Sequence, residues 1–293
     1  MIHAAFRARR GAGANTPGMA KRAKRAAAGG GRDEFKGMVA LVTGAGSGIG
    51  AATAEVLAAR GCAVGVLSHT PREVVRLASA INRRRGGRAL ALEADVADED
   101  AMKRACKDLA GAFGGIDHVF ANAGINGPRA TLERLTMEEY DLVMRTNLRG
   151  TFVTVRAALP HLKRRKGGSI VITASINGTY TYNDPGSIIY STTKAGQIAM
   201  SKFLAIELAR HKIRVNVVCP GSIDTQIGDN TQERDEENAS PRTLYPDGEM
   251  PLTGKRPGKA VQVASVVAFL MGADAGHVTG AEVVVDGGQS LIV

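Results

Sequence analysis

No apolar run in the 293 residues approaches the ~20 residues needed to cross a bilayer as a helix, so the chain is expected to be soluble and cytoplasmic, without a membrane partner. Cysteine is scarce. Cys62, Cys106 and Cys219 are widely spaced, which excludes a Cys-based metal motif and a disulfide framework and fits a reducing compartment. The six histidines form no HExxH, so no zinc or other metal site is expected. No acid precedes Asp33 and almost no bulky apolar residue follows Phe6 before that point. That Gly/Ala/Arg-rich stretch cannot bury a core, so residues 1–35 are expected to form a disordered basic tail. It lacks the apolar segment of a secretory signal.

The net charge of +10 would suggest a nucleic-acid partner if it were spread over the chain. Residues 1–36 carry nine Lys/Arg against two Asp/Glu, which leaves only +3 for the rest. The tail reads as a leader with Met19 or Met38 as later possible starts, as a targeting segment, or as a polyanion-binding arm. Deleting residues 1–35 separates the last reading from an enzyme, which keeps its activity without them. No nucleic acid is expected to bind the domain itself.

What is present is an alternation. Apolar runs at 38–42, 63–67, 88–93, 119–120, 169–173, 215–218 and 282–285 read as buried parallel strands. Helical patterns at 51–60, 71–85, 98–113, 136–165, 188–211 and 261–271 separate them, with Pro71 at a helix start and Thr136/Glu139 as a capping box. Pro160 predicts a kink or break in the long helix at 136–165. Strand–helix alternation without an internal repeat predicts one domain, 36–293, with an α/β, Rossmann-type, doubly wound parallel sheet. Ligands bind such sheets beyond the carboxyl ends of the strands.

Two stretches carry chemistry. Thr43-Gly-Ala-Gly-Ser-Gly-Ile-Gly50 lies between a strand and a helix, where glycines let the backbone approach a pyrophosphate and the helix N-terminus offers free N–H groups. Tyr190 and Lys194 are one helical turn apart on the same face. A phenol ionises near pH ~10, and an adjacent ammonium favours the phenolate, which makes the pair a candidate acid/base.

With Asp95-Val96, Asn122-Ala-Gly124, Asn147 in a helix, Ser175 after the fifth strand, and Pro220-Gly221 with Thr225, these motifs resemble the short-chain dehydrogenase/reductase family over about 35–291. The resemblance implies hydride transfer between a nicotinamide cofactor and a ketone or secondary alcohol. It makes Tyr190 the acid/base, Lys194 its charge partner and a ribose ligand, Ser175 the donor to the substrate oxygen, and Asn147 the holder of a relay water. Gly44, Ser47, Gly48 and Ile49 would take the pyrophosphate. Asp95 and Val96 would flank adenine, Asn122 and Gly124 a ribose, and Pro220, Gly221, Ile223 and Thr225 the carboxamide. Two departures stand out: Ala121 replaces the family's usual asparagine, and fifteen residues separate Ser175 from Tyr190.

Ser68 occupies the place of the family's ribose-binding acid, and no acid follows until Glu73. NADP is therefore the expected cofactor, with NAD possible, and Ser68, His69, Thr70 and Arg72 are expected near the 2′-phosphate. An insertion at about 222–258, punctuated by Pro241, Pro246, Pro251 and Pro257, reads as a lid over the substrate or as a solvated loop. Asn177, Tyr180 and Tyr182 are further candidates for the pocket wall. The resemblance also implies a homotetramer or homodimer paired through the helices at 136–165 and 188–211, with Ala195, Gly196 and Ala199 permitting close approach. The alternative to an enzyme is a catalytically silent cofactor-binding or scaffold protein of the same fold.

Overall fold

The computed structural model describes residues 33–182, 186–234, 250–254 and 256–292; the tail before Asp33 and Pro241 and Pro246 of the insertion lie outside them. Seven strands build the main sheet: β1 (Val39–Thr43), β2 (Ala63–Ser68), β3 (Arg88–Glu93), β4 (His118–Ala121), β5 (Gly168–Thr173), β6 (Ile213–Pro220) and β7 (Glu282–Val285). Their order is β3-β2-β1-β4-β5-β6-β7, and every neighbouring pair is parallel. The expected doubly wound sheet is thus formed. Its switch point lies between β1 and β4, where crossovers leave in opposite directions and open a crevice.

Among the described residues the α-helices are α1 (Gly48–Ala59), α2 (Pro71–Asn82), α3 (Glu99–Phe113), α4 (Met137–Val143), α5 (Gly150–Arg164), α6 (Ile188–Ala209) and α7 (Ala260–Met271). Strand residues alternate between the two faces of the sheet. Leu41 packs with Met102 and Leu109 of α3, Leu162 of α5 and Leu208 of α6. Its neighbours Ala40 and Val42 pack with Leu57 of α1, Val74 and Ile81 of α2, and Val263 and Val267 of α7. A strand buried on both faces takes apolar residues unless a polar one finds partners: all five residues of β1 are buried, and the polar one, Thr43, donates its hydroxyl to Phe120 O at 3.3 Å and accepts the Asn122 N–H at 3.0 Å. Packing begins at Phe35, which is buried and donates its N–H to the Arg60 carbonyl at 2.9 Å.

The long helix expected over 136–165 is interrupted, but not at Pro160, which α5 carries in its interior. The capping box forms: Glu139 N–H donates to Thr136 Oγ1 at 3.3 Å, and Thr136 N–H to the Glu139 carboxylate at 2.9 Å. The interruption is a π-helical turn, Met144–Arg149, between α4 and α5. It contains Asn147. Such turns insert one extra residue per turn and recur at functional sites.

Candidate active site

A cleft of about 1350 Å³ runs along the carboxyl ends of the strands and across the switch point. It exceeds the ~1000 Å³ upper range for a single drug-sized ligand, so it has room for a dinucleotide beside a substrate. Of the residues expected at the cofactor, all but Arg72 line it, from Gly44 to Thr225 and including Tyr190 and Lys194. Ser175 lines it as well, and Asn147 stands behind the wall, fully buried.

The floor is backbone. Gly44 and Gly48 have positive φ, 62° and 54°. A Cβ on Gly44 would lie 2.8 Å from Ala123 Cα, so only glycine lets the β1 turn pass the β4 turn this closely. Asn122 fastens the crossing: its side-chain amide donates to Thr43 O at 3.2 Å and Gly44 O at 3.3 Å, and its Oδ1 accepts the Thr173 hydroxyl at 3.0 Å. Ser47, the N-cap of α1, makes no side-chain cap bond, which leaves the first-turn N–H groups open to an anion. The cradle therefore fits a pyrophosphate.

At the other end, Lys194 Nζ is buried and donates to the Thr173 carbonyl at 2.9 Å. It sits 5.3 Å from the centroid of the Tyr190 ring. Burial lowers its pKa from 10.5 to about 8. Ser175 Oγ accepts the Asn177 N–H at 3.2 Å, and no acceptor among the described residues takes its hydroxyl proton. Asn147 pairs reciprocally with Ile125: Ile125 N–H donates to Oδ1 at 2.8 Å, and Nδ2 donates to Ile125 O at 2.9 Å. Nδ2 also reaches Thr193 Oγ1 at 3.1 Å. The Asn147 carbonyl accepts Thr151 Oγ1 at 2.8 Å and Gln197 Nε2 at 3.0 Å. A Cβ on Gly124 would stand 3.2 Å from Asn147 Oδ1 and 3.6 Å from Lys194 Nζ, so both polar atoms lie beside that glycine.

Several other candidates differ from expectation. Arg72 does not line the cleft, because it lies on the exposed outer face of the first turn of α2. Tyr180 and Tyr182 also stay outside it: Tyr180 donates its hydroxyl to Glu282 at 3.0 Å, and Tyr182 is 83% exposed. Asn177 does line the cleft. Gly196 is half-buried, and a Cβ there would meet Leu148 at 3.0 Å. Asp95 makes an ion pair with Arg145 at 2.6 Å, a partner from the π-helical turn that no local motif signals.

The insertion lines part of the cleft through Gln226, Ile227 and Gly228. Gln232–Glu233 pairs in parallel with Pro128–Arg129, and Ile223–Asp224 with Gly258–Lys259. Asn126 Nδ2 donates to Thr231 Oγ1 at 2.9 Å, and Arg234 forms an ion pair with Glu139 at 2.6 Å. Among the described residues no cluster of His, Cys, Asp and Glu could hold a metal, and no helix is long and apolar enough to cross a membrane.

Comparison with known proteins adds four findings. Residues 38–236 match the short chain dehydrogenase family. Levodione reductase from Leifsonia aquatica is 34% identical over 87% of this chain and 95% of that protein. A 3-ketoacyl-ACP reductase structure from Sinorhizobium meliloti 1021 superposes with a TM-score of 0.84 at 50% identity, covering 87% of this chain and 100% of that one. A short chain dehydrogenase from Burkholderia cenocepacia J2315, solved in complex with NADP, has a TM-score of 0.75 at 33% identity, over 87% of this chain and 99% of that one.

Proposed function

The chain belongs to the short-chain dehydrogenase/reductase family and is an NAD(P)-dependent oxidoreductase acting on an alcohol or ketone; on that premise we propose that Tyr190 is its acid/base, with Lys194, Ser175 and Asn147 around it. The observation that carries the assignment is the Tyr190–Lys194 pair, 5.3 Å from ring centroid to Nζ, at one end of a cleft whose other end is the open N-terminus of α1.

The nicotinamide supplies the hydride in reduction and takes it in oxidation. In reduction Tyr190 gives its proton to the carbonyl oxygen, and in oxidation it removes the alcohol proton. The Ser175 hydroxyl donates to that oxygen and stabilises the charge developing there. Thr173, the other hydroxyl of this strand end, is committed to Asn122, which supports Ser175 for the role. The Lys194 ammonium favours the phenolate. Both lone pairs of the Asn147 carbonyl are taken, so a relay water to Lys194 would bind at the remaining lone pair of Oδ1, next to Gly124.

We read NADP as the preferred dinucleotide, because Ser68 leaves the end of β2 without an acid; NAD remains the second cofactor of the site. The catalytic domain spans 36–293, residues 1–35 are dispensable for turnover, and the insertion at about 222–258 covers the substrate. A cytoplasmic location suits the buried, unpaired Cys62, Cys106 and Cys219. A homodimer or homotetramer fits Phe203 and Ile206 of α6, 76% and 79% exposed, and the half-exposed Phe152 of α5. A catalytically silent scaffold finds no support among the relatives. The test is a panel of ketones and secondary alcohols with NADPH/NADP and NADH/NAD, on the full chain and on 36–293. No turnover anywhere in the panel would refute the catalytic reading, and a monomer by light scattering would refute the pairing.

A further inference from the structure

The acid missing from the end of β2 is replaced from elsewhere. Glu73 lies in the first turn of α2, five residues beyond Ser68, and its side chain reaches back over the glycine loop. A Cβ built on Gly46 would run into the Glu73 carboxylate. Glu73 lines the same end of the cleft as Ser68, His69 and Thr70. No hydrogen bond or ion pair holds this half-buried carboxylate among the described residues. Ser68 Oγ accepts the Thr70 N–H at 3.1 Å, so it keeps a single hydroxyl proton to offer a ligand. The Lys and Arg that line the cleft among the described residues are Arg129, Arg145 and Lys194. Lys194 is at the nicotinamide end, Arg129 on the substrate wall, and Arg145 is paired with Asp95.

We propose that Glu73 reads the 2′ position of the adenosine ribose, accepting hydrogen bonds from a free hydroxyl and opposing a 2′-phosphate, and so limits the advantage that Ser68 gives NADP. The proposal rests on the dinucleotide reading of the cleft. A carboxylate against a phosphate dianion is repelled and gains no hydrogen bond, whereas against a sugar diol it accepts one or two. The motif therefore splits a job usually done by one residue: Ser68 leaves room at the strand end, and Glu73 sets the sign of the charge. NADP binds only after the Glu73 side chain turns away from Gly46.

Direct binding tests this without a substrate. NADPH and NADH are titrated by nicotinamide fluorescence against the full chain, wild type, Glu73→Gln and Glu73→Arg, at one salt concentration. The ratio Kd(NADH)/Kd(NADPH) is expected to rise about tenfold in Glu73→Gln and further in Glu73→Arg, through tighter NADPH binding. A ratio within twofold of wild type in both variants overturns the proposal, as does equal weakening of both dinucleotides. If the wild type binds both dinucleotides and the ratio is unmoved, only the role of Glu73 falls. If the wild type binds neither, the dinucleotide reading falls with it.

Discussion

The two ends of the cleft are held by opposite means. At the end proposed for the nicotinamide, Lys194 and Asn147 are buried and tied: Lys194 to the Thr173 carbonyl, Asn147 to both backbone groups of Ile125 and to Thr193. At the end proposed for adenosine the backbone does the shaping, Ser47 and His69 are exposed, and Glu73 has no partner among the described residues. The difference follows the tasks. Proton transfer needs heavy atoms within a few tenths of an ångström of a fixed geometry. Holding a sugar needs the right charge within reach, and a side chain that can move does that. Substitutions at the first end should therefore cost catalysis or folding, while those at the second should redistribute preference.

The largest break is Tyr190→Phe. It removes one hydroxyl and keeps the ring, so kcat should fall by about 10³ while cofactor affinity and Tm stay at wild-type values. Turnover within a few-fold of wild type would eliminate Tyr190 as the acid/base.

Lys194→Met should lower kcat by about 10² and also alter the pH dependence of stability. Burial depresses the native Lys194 pKa to about 8 from 10.5. Below pH 8 both states hold the proton, and the native state carries the whole desolvation penalty. Between about pH 8 and 10.5 the unfolded chain binds more protons than the native one, so wild-type stability gains with rising pH. The Tm of Lys194→Met relative to wild type should thus be highest near pH 7 and decline towards pH 10. A difference that does not change between those two pH values would contradict the buried, charge-penalised lysine.

Asn147→Ala sharpens the same end by testing its scaffold. The change leaves the N–H and C=O of Ile125 without partners, at a cost of about 2–3 kcal/mol in chemical denaturation. Unchanged stability would mean that the 122–126 turn holds itself.

At the adenosine end, Ser68→Asp adds a second carboxylate beside Glu73. The ratio of kcat/KM for NADPH over NADH should fall by at least about tenfold. An unmoved ratio would mean that residue 68 does not face the ribose. The smallest effect belongs to the substrate wall. Arg234→Ala breaks an ion pair with Glu139 whose arginine is 41% exposed, so stability should change by less than about 1 kcal/mol while the substrate KM rises a few-fold. A KM equal to wild type would show that the ion pair does not shape the pocket.

Much of this molecule was legible without coordinates. Residues Val39–Val42 are apolar because both faces of the strand are covered, and Gly44 is there because a Cβ would collide with the β4 turn at Ala123. These are local demands, written into consecutive residues. The Tyr190–Lys194 spacing is local in the same sense, one turn of α6. What adjacency in sequence does not encode stayed hidden. The π-helical turn at 144–149 has no composition signal, and it turns Asn147 inward to meet Ile125, twenty-two residues away. Arg234 finds Glu139, 95 residues away in sequence, and Asp95 finds Arg145.

Glu73 marks the boundary between the two kinds of information. By sequence it lies too far beyond β2 to serve at a strand end. The α2 crossover, with its helix beginning at Pro71, carries the side chain back over Gly46. Sequence alone determined the sheet, the glycine cradle and the spacing of the acid/base pair, because periodicity and backbone sterics act between near neighbours. Only the tertiary structure decided that Glu73 comes back over Gly46, that Asp95 meets Arg145 and that the Asn147 amide steadies Ile125, because those contacts join segments whose separation along the chain carries no trace of their distance in space.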